Sequence, residues 1–238
     1  MTDPQEARRD EIAHGLESVR TRIAAACDAA GRSPGDVTLT VVTKFFPASD
    51  VRLLAGLGIT DVGENRHQEA EAKAAECADL GLRWHFIGGL QSNKAAAVAA
   101  YADVVESVDR AKLLTGLAKG AHRRGRVLDC LVQVNLDPPG EHEGRAGATP
   151  EEVPLLAERV VATEGLRLRG VMAVAPLGED PAAAFARLAE VAAGVRLVEP
   201  SATWMSAGMS GDLEQAIEAG ATHVRIGSAV LGRRPAFK

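Results

Sequence analysis

The sequence predicts a single α/β domain over residues 1–238, a (β/α)8 TIM barrel preceded by an extra N-terminal helix. Three observations carry that fold class. The chain has 238 residues, 46% of them hydrophobic, enough to bury a sizeable core and too apolar for disorder. Short apolar runs alternate with helix-length segments along the whole chain. No hairpin turn such as Asn-Gly joins two of these runs, so strands separated by helices must run parallel. Near-continuous apolar strands suit a sheet covered on both faces, and eight units favour closure into a barrel over a doubly wound sheet.

The opening helix is read over Gln5 to Ala30, where Ile12, Leu16, Val19 and Ile23 recur at helical spacing and Gly31 with Ser33-Pro34-Gly35 supplies a stop. Val37 to Val42 is rich in β-branched residues and too short for a typical helix, which makes it the first strand. A helix follows over Pro47 to Leu57. The remaining strands are expected at Thr60–Gly63, Arg83–Gly88, Asp103–Val108, Val127–Asn135, Leu166–Val174, Thr203–Ala207 and His223–Gly227. Between them, Arg66–Leu80, Ser92–Tyr101, Arg110–Arg124, Pro150–Thr163, Asp180–Val191 and Leu213–Ala219 are rich in Ala, Leu, Glu and Arg, as helices are. Asp137 to Thr149, with two Pro and three Gly, reads as an extended loop over one face.

Charge and cysteine usage narrow the function. A formal net charge of −5 argues against broad binding to nucleic acid or anionic lipid and favours a small-molecule partner. Cys27, Cys77 and Cys130 are scattered, with no C-x-x-C pair, which argues against a disulfide framework and a zinc site and fits a reduced, cytoplasmic protein. Asp3, Glu6, Arg8, Arg9 and Asp10 stand where a signal peptide needs an apolar core, and no later apolar run reaches about 18 residues, so no membrane insertion is expected. The histidines His14, His67, His85, His122, His142 and His223 show no metal-ligand spacing, so no metal is expected. A G-x-S-x-G elbow, a Walker A loop and G-x-G-x-x-G are all absent.

Sites of such barrels are built at the C-terminal ends of the strands. Those ends are polar here: Lys44, then Glu64-Asn65, Gly88 to Lys94, Ser107 and Asp109, Asn135, Met172, Ser206 to Asp212, and Gly227-Ser228. An ammonium at an apolar strand end loses solvation and gives up its proton more readily, and a free lysine amine attacks an aldehyde. The plainer account of Lys44 is a side chain leaning out to solvent. Ser206-Ala-Gly-Met-Ser-Gly211, before a helix near Asp212, and Gly227-Ser228, before Ala229 to Leu231, offer the glycines and hydroxyls of a phosphate site. Turn glycines and N-cap serines would look the same. Arg225 shares parity with Gly227 and needs a partner, either an interior carboxylate such as Glu64 or a ring nitrogen of a ligand. The cluster of Lys119, His122, Arg123, Arg124 and Arg126 reads as a solvated helix end whose cations offset the dipole.

Five blocks together resemble a known family: Val42-Thr-Lys44; Gly63-Glu-Asn65 with Gln68-Glu69; His85-Phe-Ile-Gly88 with Leu90-Gln91 and Asn93-Lys94; Ser206-Ala-Gly-Met-Ser210 with Asp212; and Val224-Arg-Ile-Gly227 with Leu231-Gly-Arg233. From about Ile12 to Arg233 the chain resembles the pyridoxal phosphate homeostasis protein family, also called the proline synthase co-transcribed family. The resemblance implies a barrel like the N-terminal domain of alanine racemase, with pyridoxal 5'-phosphate held as an internal aldimine on Lys44. It also implies that Arg225 faces the pyridine nitrogen, that Ser206, Gly227 and Ser228 hold the phosphate, and that Asn65, Met172 and Met209 line the ring. Ala207, Ser228 and Arg66 depart from the family's usual residues. The implied function is binding, buffering and delivery of the cofactor, with apo forms of pyridoxal-phosphate enzymes as partners and no turnover of its own. The absence of a long exposed apolar pattern favours a monomer.

Two other functions stay open on the residues. One is a pyridoxal-phosphate enzyme such as an amino-acid racemase, although the chain ends at Lys238 without a second domain, and its only tyrosine, Tyr101, is expected on a helix before strand four. The other is a Schiff-base aldolase that uses Lys44 without a cofactor.

Overall fold

The computed structural model describes residues 3–138 and 146–233. Its eight strands close into one barrel, β1 to β8 in chain order, with β8 returning to β1. Every strand pair is parallel. The strands are β1 (Thr38–Val42), β2 (Asp61–Glu64), β3 (Arg83–Phe86), β4 (Val104–Val108), β5 (Leu128–Gln133), β6 (Leu166–Met172), β7 (Trp204–Ser206) and β8 (His223–Ile226). The helices are α1 (Pro4–Ala29), α2 (Ala48–Gly56), α3 (His67–Glu76), α4 (Ala95–Ala99), α5 (Leu114–Arg124), α6 (Val153–Val161), α7 (Pro181–Val198), α8 (Leu213–Glu218) and α9 (Ser228–Leu231). Each expected strand is present within a few residues of its expected bounds.

Local chemistry explains the start of α1. Asp3 caps it by accepting from the Gln5 N–H, and Pro4 at the first position sacrifices no intrahelical bond. Ile12, Leu16, Val19 and Ile23 are all buried, as their spacing requires. They pack with α2, α8 and α9 around β1, β2 and β8, while a second apolar shell wraps α4 to α7 around β3 to β7. Where α1 crosses α9 the backbones nearly touch: a Cβ on Gly15 would lie 2.5 Å from the Val230 carbonyl oxygen.

Three elements differ from the expectation. Helix α7 runs on to Val198 rather than stopping at Val191, because Ala192 and Val195 remain buried and outweigh the weak propensity of Gly194. The expected helix Ser92–Tyr101 is a 3-10 turn followed by the short α4, so Tyr101 lies in the turn beyond it. In the loop expected over 137–149, residues 139–145, His142 among them, lie outside the described residues. On its far side, Ala148 returns to form a parallel bridge with Val134.

The interior of the barrel departs most from a stack of branched aliphatic side chains. Val104, Leu131 and Met172 form a small apolar cluster with Trp204. Around it Asp61, His85, Glu106, Ser206, His223 and Arg225 are all buried. The three cysteines are buried and free. Among the described residues no cluster of His, Cys, Asp and Glu suits a metal, and no helix is long and apolar enough to cross a membrane.

Candidate functional site

Lys44 stands two residues past the end of β1, half-buried, in a turn shaped by a buried charge cluster. Lys73 of α3, only 7% exposed, donates to the Thr43 carbonyl at 2.7 Å, to Glu64 Oε1 at 2.6 Å and to Glu69 Oε1 at 2.8 Å. Glu69 Oε1 in turn accepts the Phe45 N–H at 2.6 Å, and the Thr43 hydroxyl donates to Glu64 Oε1 at 2.7 Å. The peptide groups on both sides of Lys44 are therefore tied to one ammonium and its carboxylates. Phe45 has φ +72°, a left-handed conformation that costs a non-glycine residue about 1–3 kcal/mol and persists only where its surroundings impose it. The Arg66 guanidinium lies 4.9 Å above the Phe45 ring and covers it from the rim. Burial pushes the Glu64 carboxyl up, against the pull of the Lys73 charge and of the bonds from Lys73 and Thr43.

Arg225 lies inside the barrel, 4% exposed, on the strand beside β1, with Thr40 opposite it. Its partner is not Glu64, which turns outward to α3. Arg225 Nη1 donates to Ser206 Oγ at 2.7 Å and Nη2 to the Ala173 carbonyl at 2.8 Å, while Glu106 Oε2 stands 3.9 Å from Nη1. The Ser206 hydroxyl donates onward to Glu106 Oε2 at 2.6 Å. Beyond it His85 bridges two carboxylates, Nδ1 at 2.7 Å from Glu106 and Nε2 at 2.9 Å from Asp61. An ionised carboxylate only accepts, so both ring nitrogens carry hydrogen and His85 is an imidazolium. Burial alone would lower His85, but the bonds and charges of Asp61 and Glu106 raise it to about 9. Burial would likewise raise Glu106, yet His85, Arg225 and Ser206 bring it down to about 2. Burial also holds Arg225 below its usual value, against the pull of Glu106.

The two glycine-rich strand ends stand beside these groups. A Cβ on Gly227 would lie 3.2 Å from the Val42 carbonyl oxygen, so this position brings β8 close against the strand that leads to Lys44. Ser228 begins α9 and is exposed, and the first N–H groups of a helix have no intrahelical acceptor. Helices α8 and α9 span only six and four residues, so hydroxyls and amide hydrogens supply the donors here rather than a helix dipole. Gly208 has φ +91°, and a Cβ there would press within 2.7 Å of the Ala216 side chain. Helix α1 braces this region from outside. Arg22 donates to the Ser210 carbonyl at 3.0 Å and pairs with Glu214, while Arg8 reaches the Leu231 carbonyl at 3.0 Å and Asp50 at 2.7 Å.

The expected site residues fall into two groups. Lys44, Asn65, Gly227 and Ser228 stand on the adjacent C-terminal ends of β1, β2 and β8, with Met209 40% exposed on the rim. Asn65 is fitted closely against the end of β3, since a Cβ on Gly88 would overlap its carbonyl oxygen. Ser206 and Met172 are instead interior residues, 0% and 2% exposed. The Ser206 hydroxyl is engaged by Arg225 and Glu106 rather than turned to the rim, and Met172 packs against Val104 and Leu131. Glu106, His85, Lys73 and Glu69 are missing from the expected set. A carboxylate in Val104-Val-Glu-Ser-Val108 and an imidazole in Arg83-Trp-His-Phe86 are sequence signals for the first two. Glu69 and Lys73 look in sequence like an ordinary exposed helical pair. Tyr101 lines a cavity at the N-terminal ends of the strands, the opposite end of the barrel from Lys44.

Comparison with known proteins bears on the whole chain. Residues 16–235 match the family described as alanine racemase, N-terminal domain. A pyridoxal phosphate homeostasis protein of Mycobacterium tuberculosis is 44% identical, over 95% of this chain and 94% of its own. One of Pseudomonas aeruginosa is 45% identical, over 94% and 96% respectively. The structure of PipY from Synechococcus elongatus PCC7942, with pyridoxal phosphate (PLP) bound, is 35% identical with a TM-score of 0.80, covering 93% of this chain and 100% of that one. Alanine racemase from Corynebacterium glutamicum shares the fold alone, at 16% identity and a TM-score of 0.65, over 96% of this chain and 63% of its own. By sequence and fold together, the chain belongs to the pyridoxal phosphate homeostasis protein family, built on the alanine racemase N-terminal domain.

Proposed function

We propose that this chain binds pyridoxal 5'-phosphate at the C-terminal mouth of its barrel, buffers it and delivers it to apo forms of pyridoxal-phosphate enzymes, without turnover of its own. The observation that carries the reading is the clamped Lys44 turn, set beside an interior arginine and the Gly227-Ser228 strand end. The relatives' names and the cofactor in PipY support it. Lys44 would hold the aldehyde carbon covalently, Ser228 and the amides around Gly227 the phosphate, and Asn65 and Met209 the ring edge. Arg225 would face the pyridine nitrogen, oriented by Ser206 and Glu106. When bound, the cofactor supplies an electron-accepting ring and an exchangeable carbon–nitrogen double bond. A permanent cation beside the ring nitrogen disfavours its protonation and so weakens the ring as an electron sink, which suits storage better than turnover.

The residues present fit such a ligand. Buried polar groups reach the mouth already oriented, and backbone approaches closely where a Cβ would intrude. Tyr101, the racemase-type acid/base candidate, has its hydroxyl buried and its ring stacked on His67 at the start of α3, so it is not presented at the open mouth beside Lys44, which counts against a racemase. The test is a visible absorption spectrum of the purified protein, then borohydride reduction and peptide mapping. A yellow protein with the reduced pyridoxyl adduct on Lys44, lost in Lys44→Ala, is expected. A protein that stays colourless with added pyridoxal phosphate would move the cofactor-free aldolase forward. Racemase turnover that survives purification and vanishes in Lys44→Ala would replace carriage by catalysis.

A further inference from the structure

At the opposite mouth of the barrel, several arginines converge on each of two carboxylates. Asp129 of β5 is 3% exposed and accepts from Arg83 Nη2 at 2.7 Å and Arg167 Nε at 2.5 Å, with Arg169 Nε at 3.9 Å. Asp103, just before β4, accepts from Arg124 Nη2 at 3.0 Å and has Arg126 Nη1 at 3.3 Å. Five guanidiniums thus surround two largely buried carboxylates, on a chain whose formal net charge is −5. One arginine on each carboxylate would staple the strand ends; the others add mutual repulsion.

A cavity of about 760 Å3 opens between these residues, lined by Arg83, Arg124, Arg126 and Arg167, with Asp103, Asp129 and the outlying Glu71 as its carboxylates. The side chains of Arg126 and Arg167 line this space and are 64% and 54% exposed, so donors not engaged by Asp103 and Asp129 are open to solvent. One further group marks the region as unsatisfied. Arg169 Nε, beside Arg167 on β6, is buried without a hydrogen-bond partner. Burial holds Arg169 below its usual value, and the neighbouring charges of Arg167 and Arg83 add to this against Asp129.

We propose that this cavity is a second binding site, independent of the one at Lys44, for a small multivalent anion: a phosphate ester or a di- or tricarboxylate. Arg83, Arg126 and Arg167 hold its oxygens through charge-assisted, forked hydrogen bonds, and Asp103 and Asp129 keep the guanidiniums in place from beneath. The ligand lowers the repulsion that the arginines otherwise sustain.

Both tryptophans of the chain report on this end. Trp84 lines the cavity, and Trp204 lies 4.7 Å from the Arg83 guanidinium and 4.2 Å from that of Arg169. The test is a tryptophan-fluorescence titration of the full chain with inorganic phosphate and, separately, with citrate, at constant ionic strength. A saturable change is expected with at least one of them, and the more tightly bound identifies a phosphoryl or a carboxylate ligand. Its half-saturation should be the same in Ser228→Ala and at least tenfold higher in the double variant Arg126→Ala with Arg167→Ala. Arg167→Gln, which keeps most of the side chain's packing, should give a smaller loss and guards against misfolding of the double variant. No saturable change with either anion, a change that ignores the arginine substitutions, or one abolished by Ser228→Ala would each overturn the proposal.

Discussion

The two mouths of the barrel use cations in opposite ways. At the C-terminal mouth, Arg225 and Lys73 are buried, and acceptors engage each of them: a hydroxyl and a carbonyl on Arg225, two carboxylates and a carbonyl on Lys73. Their charge is internal to the fold, and what they deliver is the position of something else, the Lys44 turn and the mouth of the cup. At the N-terminal mouth it is the carboxylates that are largely buried, and the guanidiniums extend outward with donors to spare. Burial and partners, rather than residue type, decide whether a cation here is a brace or a binding group.

The strongest way to break this contrast is to remove the C-terminal brace. Lys73→Met leaves Glu64 and Glu69 without their cation, and a buried pair broken on one side costs about 3–5 kcal/mol. Urea unfolding should show that loss, with cofactor trapping on Lys44 reduced and Lys73→Arg recovering part of both. The tryptophan response to phosphate or citrate should persist in whatever fraction remains folded; its loss there would show that the two ends are not separable.

The interior ion pair sets a pH dependence with a definite sign. The folded value of His85, about 9, lies above the ordinary 6.5, so its contribution is complete below pH 6.5 and lost as pH rises through 9. That loss amounts to at most about 3 kcal/mol between pH 6.5 and 9, since the folded state then holds a proton that the unfolded chain has released. Glu106 works the other way: its contribution is present above pH 4.5 and lost as pH falls through about 2. His223, pushed down by burial to about 4, adds a rise in stability between pH 4 and 6.5. Unfolding free energy measured across pH should therefore peak near 6.5, and His85→Gln should flatten the alkaline side. An unchanged alkaline slope in that variant would remove the imidazolium from the barrel interior.

Two smaller effects sharpen the description of the cup. Ser228→Ala should weaken pyridoxal phosphate binding by about 1–3 kcal/mol, tenfold or more, as measured by equilibrium titration. Arg66→Ala removes the guanidinium over Phe45 and should cost about 0.5–1 kcal/mol of stability, near the limit of thermal unfolding measurements.

The alternation of apolar runs and helical segments, the order of the elements and the parity of Arg225 with Gly227 all follow from the sequence alone, because strand and helix periodicities are local and backbone-driven. So does the polar character of the strand ends, and with it the singling out of Lys44. What the linear order could not contain is which groups meet across the barrel. Ser206 and Glu106 are 100 residues apart and share one hydrogen bond; Arg225 finds them rather than Glu64, since β2 directs Glu64 outward to α3. Nor could the spacing of Glu69 and Lys73 show burial, because a pair four residues apart on a helix looks alike whether it faces water or a strand end. The clustering of arginines from β3, α5 and β6 around Asp103 and Asp129 is equally nonlocal. Periodicity along the chain determined the barrel; strand register and closure decided which charges are buried, which are paired, and which are left to bind something else.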